Sequence, residues 1–388
     1  YHKIWTCKGN EQDGRTKKMS KTYCNHIQKG MFVSHQGVSL CCVNRDKHKN
    51  IKPSEFWSSN IRKDALSDMA KGDQVKGCNE CYKTESKKMP SSRTFAHSYN
   101  ALPTQHFPTM LDLDFSNLCN LKCVMCSSTR SSEWAKDEGL PVSVVSQDII
   151  DDLVNVSSDL QHLTIQGGEP TIMKEYEYYF TLLKQKDLIK NIDLQIITNA
   201  TNINKRFYNL LSDFKSVRLS VSIDAYGLAN DYIRWPSKFT QIEKNLLEIS
   251  NLPKNIHVEL LNSLNILSMF NYYDFLTWCK KLENTFESKG KQFKIVPMKV
   301  QNPSKYNPFL APSKLKEKFT NDVKRFMKEK NLKHNSNWKL ETMLILKQIN
   351  TTSSEEETMT SLKDTIIELD NKRSKKITDY IPDIYEYI

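Results

Sequence analysis

Short apolar runs alternate with longer amphipathic stretches from about residue 110 to residue 298. The runs are rich in Leu, Ile and Val, as strands covered on both faces are; they are Met110–Phe115, His162–Gln166, Ile192–Thr198, Val217–Ile223, Ile256–Leu261 and Phe293–Met298. The stretches between them predict helices at Gln147–Val156, Lys174–Gln185, Lys205–Phe214, Phe239–Ile249 and Tyr272–Leu282. Strands alternating with helices imply a parallel sheet with right-handed crossovers. Six units rather than eight predict an α/β fold, a partial (β/α)6 barrel, with its working residues at the carboxyl ends of the strands.

The first hundred residues differ from the rest of the chain. Cys, Lys, Gly and Ser are frequent there, and apolar runs are brief, so this segment needs a metal or another domain to become ordered. After the last predicted strand the chain becomes Lys-rich and helical. We therefore divide the 388 residues into a Cys-rich module (1–100), a barrel (101–305) and a helical C-terminal extension (306–388).

The net charge of +11 favours acidic partners such as nucleic acid, nucleotides or anionic peptides. The lysines are spread along the chain, however, which is typical of solvated helical faces. No apolar run approaches the ~20 residues that cross a bilayer, and the first residues lack the apolar core of a secretion signal. We expect a soluble, cytoplasmic protein; because the chain begins at Tyr1 rather than Met, it stays open whether residues precede it.

The first predicted strand leads into a C-x3-C-x2-C loop formed by Cys119, Cys123 and Cys126. In a reducing compartment, closely spaced cysteines point to metals or catalysis rather than to disulfides. Three thiolates on one loop can ligate three irons of a [4Fe–4S] cube, which leaves the fourth iron open to an outside ligand. The alternative is a zinc knuckle, but zinc sites prefer four ligands in C-x2-C pairs, and the loop offers no fourth cysteine.

This loop resembles the signature of the radical S-adenosylmethionine (SAM) superfamily, with Met125 where members usually carry an aromatic residue against the adenine. The resemblance implies that the open iron binds the amino and carboxylate groups of SAM. It also implies that one electron, from a donor such as flavodoxin or ferredoxin, cleaves SAM to methionine and a 5′-deoxyadenosyl radical. That radical abstracts hydrogen from the substrate.

Motifs after the later strands match the same family in the same order. Gly167, Gly168, Glu169 and Pro170 match its GGEP segment, whose backbone meets the amino group of SAM; glycines there let the main chain approach a ligand closely. Polar residues at the ends of the third and fourth strands match positions near the ribose, namely Thr198, Asn199, Ser222 and Asp224. Arg234 resembles an arginine that approaches the SAM carboxylate, with a surface salt bridge as the alternative.

A second set of cysteines lies upstream, at Cys24, the pair Cys41 and Cys42, and the C-x2-C of Cys78 and Cys81. Such a set could bind zinc or a second iron–sulfur cluster. It resembles the auxiliary-cluster modules called SPASM or twitch, which imply an auxiliary [4Fe–4S] cluster. We favour Cys41 over Cys42 as the ligand, because a pair alternating on a strand can point only one side chain at the metal.

In most SPASM and twitch enzymes the module follows the barrel, whereas here it comes first. That order resembles twitch-type radical SAM proteins of phage and marine bacteria, and the similarity extends to the ending Leu369–Arg373. Of the remaining cysteines, Cys279 is expected to be a small core residue, and Cys7 an idle thiol.

Three functions are therefore in competition. The first is a radical enzyme acting on a peptide or protein side chain, as SPASM and twitch relatives often do. The second applies the same chemistry to a nucleoside, nucleic acid or sugar nucleotide, which the net charge of +11 favours. The third is a zinc-stabilised binding protein without radical chemistry, against which the three-cysteine loop and the GGEP match both count.

Overall fold

This computed structural model describes residues 21–86, 91–96, 106–330 and 356–388, together with positions 343, 345–347 and 349. Its centre is an eight-stranded sheet with the order β10-β9-β7-β6-β5-β3-β1-β2. The strands are β1 (Gly30–Ser34), β2 (Gly37–Ser39), β3 (Met110–Asp114), β5 (His162–Gln166), β6 (Asp193–Thr198), β7 (Ser216–Ser222), β9 (Ile256–Leu264) and β10 (Phe293–Lys299). A separate ribbon pairs β4 (Lys122–Cys123) with β8 (Arg234–Trp235).

The helices of the described residues connect and cover the strands. They are α1 (Asn25–Lys29), α2 (Pro53–Ser58), α3 (Asn60–Lys71), α4 (Asn79–Ser86), α5 (Ser92–Ala96), α6 (Ser132–Asp137), α7 (Gln147–Asn155), α8 (Lys174–Gln185), α9 (Lys205–Leu211), α10 (Leu228–Ile233), α11 (Phe239–Ile249), α12 (Tyr272–Ser288), α13 (Ser313–Glu329) and α14 (Glu356–Arg373).

The six predicted strands and their parallel arrangement are confirmed. β3, β5, β6, β7, β9 and β10 pair in parallel with unbroken register, as expected of a partial α/β barrel. The predicted helix at Lys205–Phe214 is shorter than expected, because α9 ends at Leu211. There the Asn255 side chain donates to the carbonyl oxygens of Leu211 and Phe214, at 3.4 and 3.0 Å, and so stabilises a turn in place of a further helical turn.

The two faces of the sheet differ because side chains alternate along each strand. On β5, Leu163 and Ile165 are fully buried in the core that the helices complete, whereas Thr164 and Gln166 lie on the opposite face and are half-buried. That opposite, inner face is polar across the sheet. Its side chains contact one another, with Gln166 donating to Asp112 at 2.7 Å and Gln195 donating to Ser220 at 2.9 Å.

The Cys-rich N-terminal segment joins this sheet directly. β1 pairs in parallel with β3, from Gly30 opposite Met110 to Ser34 opposite Asp114. The segment also contacts the barrel through α2, where Asp152 of α7 accepts from the Ser54 amide at 2.8 Å and from its hydroxyl at 2.7 Å. Backbone pairing with the barrel therefore orders these residues, as expected of a segment with few apolar runs of its own. The boundaries of the three predicted parts stay a prediction.

The C-terminal extension is helical, as predicted, and packs against the last units of the barrel. The ring centroids of Phe319 on α13 and Tyr272 on α12 lie 4.7 Å apart. α14 returns toward α10, where Tyr232 donates to Asp370 at 2.8 Å. Among the residues that the structure describes, no helix combines the length and apolarity that crossing a membrane would need.

We expect Asp152→Ala to lower the free energy of unfolding by about 1–2 kcal/mol, because the variant leaves two donors at the start of α2 without their acceptor. The measurement is urea denaturation followed by circular dichroism. Asp364→Ala, an exposed position within α14, serves as the control and should leave the unfolding midpoint nearly unchanged. Equal behaviour of the two variants would show that the Ser54–Asp152 contact does not secure the N-terminal segment.

Candidate functional site

The three-cysteine loop follows β3 at the carboxyl edge of the sheet, and its backbone is tied down on two sides. On one side, Ser132 at the start of α6 accepts from the Cys119 amide and donates to the Cys119 carbonyl oxygen, both at 3.0 Å. Trp134 donates from its indole nitrogen to the Cys123 carbonyl oxygen at 3.0 Å. On the other side, the Val124 amide donates to Ile233 at 2.9 Å, next to the β4–β8 ribbon.

The thiols of Cys119, Cys123 and Cys126 lie close enough to influence one another. Burial, with smaller contributions from the neighbouring Cys123 and Cys126, raises the pKa of Cys119 to about 12. Burial likewise raises the pKa of Cys123 to about 12, and it raises the pKa of Cys126. Soft thiolates converging on one loop suit iron–sulfur ligation, in which the metal replaces the protons that burial favours on the free thiols.

Gly167 and Gly168 pack directly against this loop. The Gly168 amide donates to the Ser116 carbonyl oxygen at 3.0 Å, and the Glu169 amide donates to that of Leu118 at 2.8 Å. A Cβ on Gly168 would lie 2.1 Å from the Leu118 carbonyl oxygen. Glycine is therefore needed at position 168 because its backbone lies close to the three-cysteine loop. The sequence had suggested instead that this backbone approaches SAM. Contact between this segment and SAM stays a prediction.

The Glu169 carboxylate is fully buried and joins the ends of β5 and β6. It accepts hydrogen bonds from the Asn199 amide at 2.6 Å, from the Thr198 hydroxyl at 2.7 Å, and from the hydroxyl and amide of Thr171 at 2.7 and 3.1 Å. Burial raises the pKa of Glu169, and these donors oppose the rise. Pro170 then begins a short 3-10 turn. Glu169 and Thr198 thus hold the GGEP segment in place through contacts within the protein.

A second network connects the end of β6 to the three-cysteine loop. Asn199 donates to the Asn120 side chain at 2.9 Å, Asn120 donates to Thr201 at 2.8 Å, and Thr201 donates back to Asn199 at 2.7 Å. Sequence reasoning missed Asn120 and Thr201. Asn120 lies inside the C-x3-C-x2-C spacing, and that position was the available signal.

Asp224 and Arg234 form a buried ion pair beside Cys123. Arg234 Nε lies 2.8 Å from Asp224 Oδ2, Arg234 Nη2 donates to Asp224 Oδ1 at 3.1 Å, and Arg234 Nη1 lies 3.9 Å from Cys123 Sγ. Burial by itself would lower the pKa of Arg234. The nearby Asp224, and after it Cys123, have the larger combined effect, so the pKa is raised and the guanidinium stays charged. The surface salt bridge considered for Arg234 is therefore wrong. Approach to the SAM carboxylate stays a prediction.

The remaining predicted SAM contacts, Met125 and Ser222, are both half-buried. Met125 packs against the hydrophobic core next to the loop, and Ser222 is the last residue of β7. Their predicted roles at the adenine and the ribose are compatible with these positions.

The upstream cysteines form a second group. Burial, with smaller contributions from Cys78 and Cys81, raises the pKa of Cys24 to about 11. Burial raises the pKa of Cys41 to about 12, and there Cys24 and Cys78 contribute. These four thiols are therefore neighbours, although they come from segments more than fifty residues apart. Cys42 points elsewhere, with its thiol hydrogen-bonded to Asp112 on the inner face of the sheet.

The nine cysteines in the described part of the chain are free thiols. Cys279 is fully buried in α12, which confirms it as a core residue, and Cys7 lies outside the described residues. Within residues that the structure describes, no three Cys, His, Asp or Glu side chains are already gathered as they would be around one metal ion. The sulfurs that ligate a cube bind different irons, so a cube does not require them to meet at one point.

Comparison with known protein families gives one match, and the matched residues include the site. Residues 113–261 match the family model described as the Radical SAM superfamily, a span that includes the three-cysteine loop, the GGEP segment and the Asp224–Arg234 pair. No curated protein sequence matches the chain.

Solved structures similar to this chain include SuiB of Streptococcus suis bound to S-adenosylmethionine, at 13% identity and a TM-score of 0.39, covering 80% of this chain and 70% of SuiB. SuiB bound to its precursor peptide SuiA gives 12% identity and a TM-score of 0.39, with 82% and 74% covered. TYW1 with a lysine-pyruvate adduct bound gives 15% identity and a TM-score of 0.31, with 57% and 70% covered.

We expect Gly168→Ala to displace the three-cysteine loop, because the added Cβ meets the Leu118 backbone. The anaerobically reconstituted variant should lose most of the iron bound by that loop, measured in a Cys78→Ala, Cys81→Ala background. Asp364→Ala, at an exposed position of α14, is the control and should keep its iron. Full iron content with weakened SAM binding would instead support a direct contact between Gly168 and SAM.

Proposed function

We propose that the chain is a radical SAM enzyme that acts on a peptide or protein side chain, which the match of residues 113–261 to the radical SAM superfamily model supports. The catalytic [4Fe–4S] cluster is held by Cys119, Cys123 and Cys126. The observation that carries this proposal is a loop with three half-buried cysteines that hydrogen bonds fix to the carboxyl edge of a parallel sheet.

Cys119, Cys123 and Cys126 would hold the cluster, which with SAM and an electron from a donor such as flavodoxin or ferredoxin would supply a 5′-deoxyadenosyl radical for hydrogen abstraction from the substrate. The protein's own contribution is to position the reactants. The backbone of Gly167 to Pro170 lies against the loop and is available to the amino group of SAM. Asp224 engages Nε and Nη2 of Arg234 and keeps it charged, which leaves Nη1 as the nitrogen that would approach the SAM carboxylate. Ser222 ends β7 and Asn199 follows β6, at the positions proposed for the ribose.

The inner face of the sheet favours a peptide over a phosphate-bearing substrate. A phosphate needs cations that are free to bind it. Here Arg130 lies 2.8 Å from Asp114, and Arg218 lies 3.8 Å from Glu259, so each guanidinium already faces a carboxylate. Asp112 adds a further acid, whose pKa burial raises to about 6. Amide and hydroxyl groups of a peptide can instead bond to polar side chains such as Gln166 and Gln195.

We further propose that Cys24, Cys41, Cys78 and Cys81 bind an auxiliary [4Fe–4S] cluster. The mutual influence of these thiols supports a shared metal, and the contact of Cys42 with Asp112 supports Cys41 as the fourth ligand. A cluster with four thiolate ligands has no open iron, so it would transfer electrons or stabilise the segment. Zinc is the competing metal. Free cysteines suit a reducing compartment, which supports the cytoplasm as the location.

Replacing Cys119, Cys123 and Cys126 together by Ala should abolish SAM cleavage while leaving roughly half of the total iron, because the auxiliary cluster has its own thiolates. The measurement is 5′-deoxyadenosine formed under anaerobic, reducing conditions, together with iron per chain. Deuterated peptides that pass deuterium into 5′-deoxyadenosine would identify the substrate. If the triple variant still forms 5′-deoxyadenosine, the catalytic cluster is assigned to the wrong cysteines.

Metal analysis of the anaerobically reconstituted protein should give about eight irons per chain, and about four after Cys78→Ala and Cys81→Ala, from four irons in each cube. Cys279→Ala is the matched control, because that buried thiol lies in α12 and should not change the iron content. About four irons and one zinc in the unmutated protein would contradict the auxiliary cluster and leave a structural zinc site.

A further inference from the structure

The C-terminal helix reaches the strand that carries Cys123. α14 ends at Arg373, whose guanidinium donates to the Tyr232 carbonyl oxygen at 2.8 Å and to that of Lys122 at 3.1 Å. Lys122 precedes Cys123 in β4, and Tyr232 lies two residues before Arg234 in β8. One side chain from the C-terminal extension therefore bonds to β4 and to the end of α10, which leads directly into β8.

The guanidinium of Arg373 is held in a fixed position. It lies 5.0 Å from the centre of the Tyr232 ring and 5.4 Å from that of Trp235, within the range of cation–π contacts. One turn earlier, Asp370 accepts from the Tyr232 hydroxyl at 2.8 Å and from the Ile377 amide at 2.9 Å, which fixes the end of α14 against α10. A planar fork held in this way can bond to two carbonyl oxygens at once, which a lysine ammonium at the same place could not reproduce.

Two cations lie beside Cys123, and they differ in how their charge is balanced. Arg234 Nη1 lies 3.9 Å from Cys123 Sγ, and the same guanidinium forms an ion pair with the buried Asp224 carboxylate. Arg373 bonds instead to two neutral carbonyl oxygens and lies near two rings, so more of its charge is left to act on the surroundings. One of those carbonyl oxygens belongs to Lys122, the residue next to Cys123, so the charge of Arg373 lies close to the position at which Cys123 would hold the cluster.

We propose that Arg373 is a positioning residue of the catalytic centre, which clamps the β4–β8 ribbon and favours the reduced form of the cluster bound at Cys123. Reduction adds one negative charge to the cluster, and a nearby cation in a partly buried site stabilises that charge. This rests on the proposed function, in which Cys119, Cys123 and Cys126 hold the cluster. It makes the C-terminal extension part of the centre, although α14 supplies no ligand.

The test compares variants in a Cys78→Ala, Cys81→Ala parent, so that only the cluster of the three-cysteine loop is observed. Arg373→Gln removes the charge, and Arg373→Lys keeps the charge but loses the fork. Arg325→Gln is the matched control, because Arg325 also stacks on a tyrosine, at 3.5 Å from the Tyr273 ring, on the exposed surface of α13. Iron per chain and the midpoint potential, titrated with electron paramagnetic resonance, are measured for each.

We expect Arg373→Gln to make reduction about tenfold less favourable, a midpoint lower by about 59 mV for a one-electron couple. Arg373→Lys should keep a midpoint close to that of the parent while retaining less iron, since the ribbon is no longer clamped. Arg325→Gln should match the parent in both. If the role of Arg373 is purely structural, both variants should lose iron, and the midpoint potentials of the Gln and Lys variants should not differ.

The proposal would be overturned if Arg373→Gln had the same iron content and the same midpoint potential as the parent. If Arg373→Gln binds too little iron to titrate, Arg373→Lys decides: a lowered midpoint there would rule out the role of the charge, and a parent-like midpoint with reduced iron would support it. A parent that binds no iron on the three-cysteine loop would overturn the proposed function itself, and this inference with it.

Discussion

The close packing of Gly167 and Gly168 against the backbone of the three-cysteine loop is the contact on which the centre depends. Three half-buried thiols that lose their protons to bind a metal repel one another, so the backbone that carries them must be fixed. Fixation comes from the amides of Gly168 and Glu169, from Ser132 on α6, and from the β4–β8 ribbon. The parallel sheet makes this possible, because it brings the carboxyl ends of β3, β5 and β6 to one edge.

The local pattern of apolar residues in the sequence was sufficient to predict the barrel. Buried parallel strands are nearly continuous apolar runs, and the six predicted strands agree with the structure to within three residues at each end. The three-cysteine loop could be found for a similar reason, since its spacing is local. The roles of Glu169 and Thr198 could not be read in the same way. Their motif match suggested contacts with SAM, whereas the geometry shows hydrogen bonds within the protein, which depend on distances that no sequence pattern records.

Contacts between distant segments were beyond the reach of sequence reasoning. β1 carries no clear alternation, because all five of its residues are buried, and its partner β3 lies about eighty residues further along the chain. Pairing them places Cys41 and Cys42 at the junction between the second group of cysteines and the inner face of the sheet. One thiol then lies near Cys24 and Cys78, and its neighbour contacts Asp112. The alternation argument assumed a strand, which is wrong, because both cysteines lie in the bend and turn that follow β2. Cys41 as the ligand stays a prediction.

The net charge of +11 and the environment of the site lead to different expectations about the substrate, and the local arrangement is the stronger argument. Charges on the solvated surface are screened beyond about 8–10 Å, so they act mainly on encounter rather than on recognition. On the inner face, Arg130 and Arg218 each lie opposite a carboxylate, and Gln166 and Gln195 bond to Asp112 and Ser220. A phosphate entering there would have to displace carboxylates from their cations, at the cost of leaving buried acids unpaired. A peptide would instead bond to side chains such as Gln166 and Gln195 without separating an ion pair, which supports the proposal of a peptide substrate.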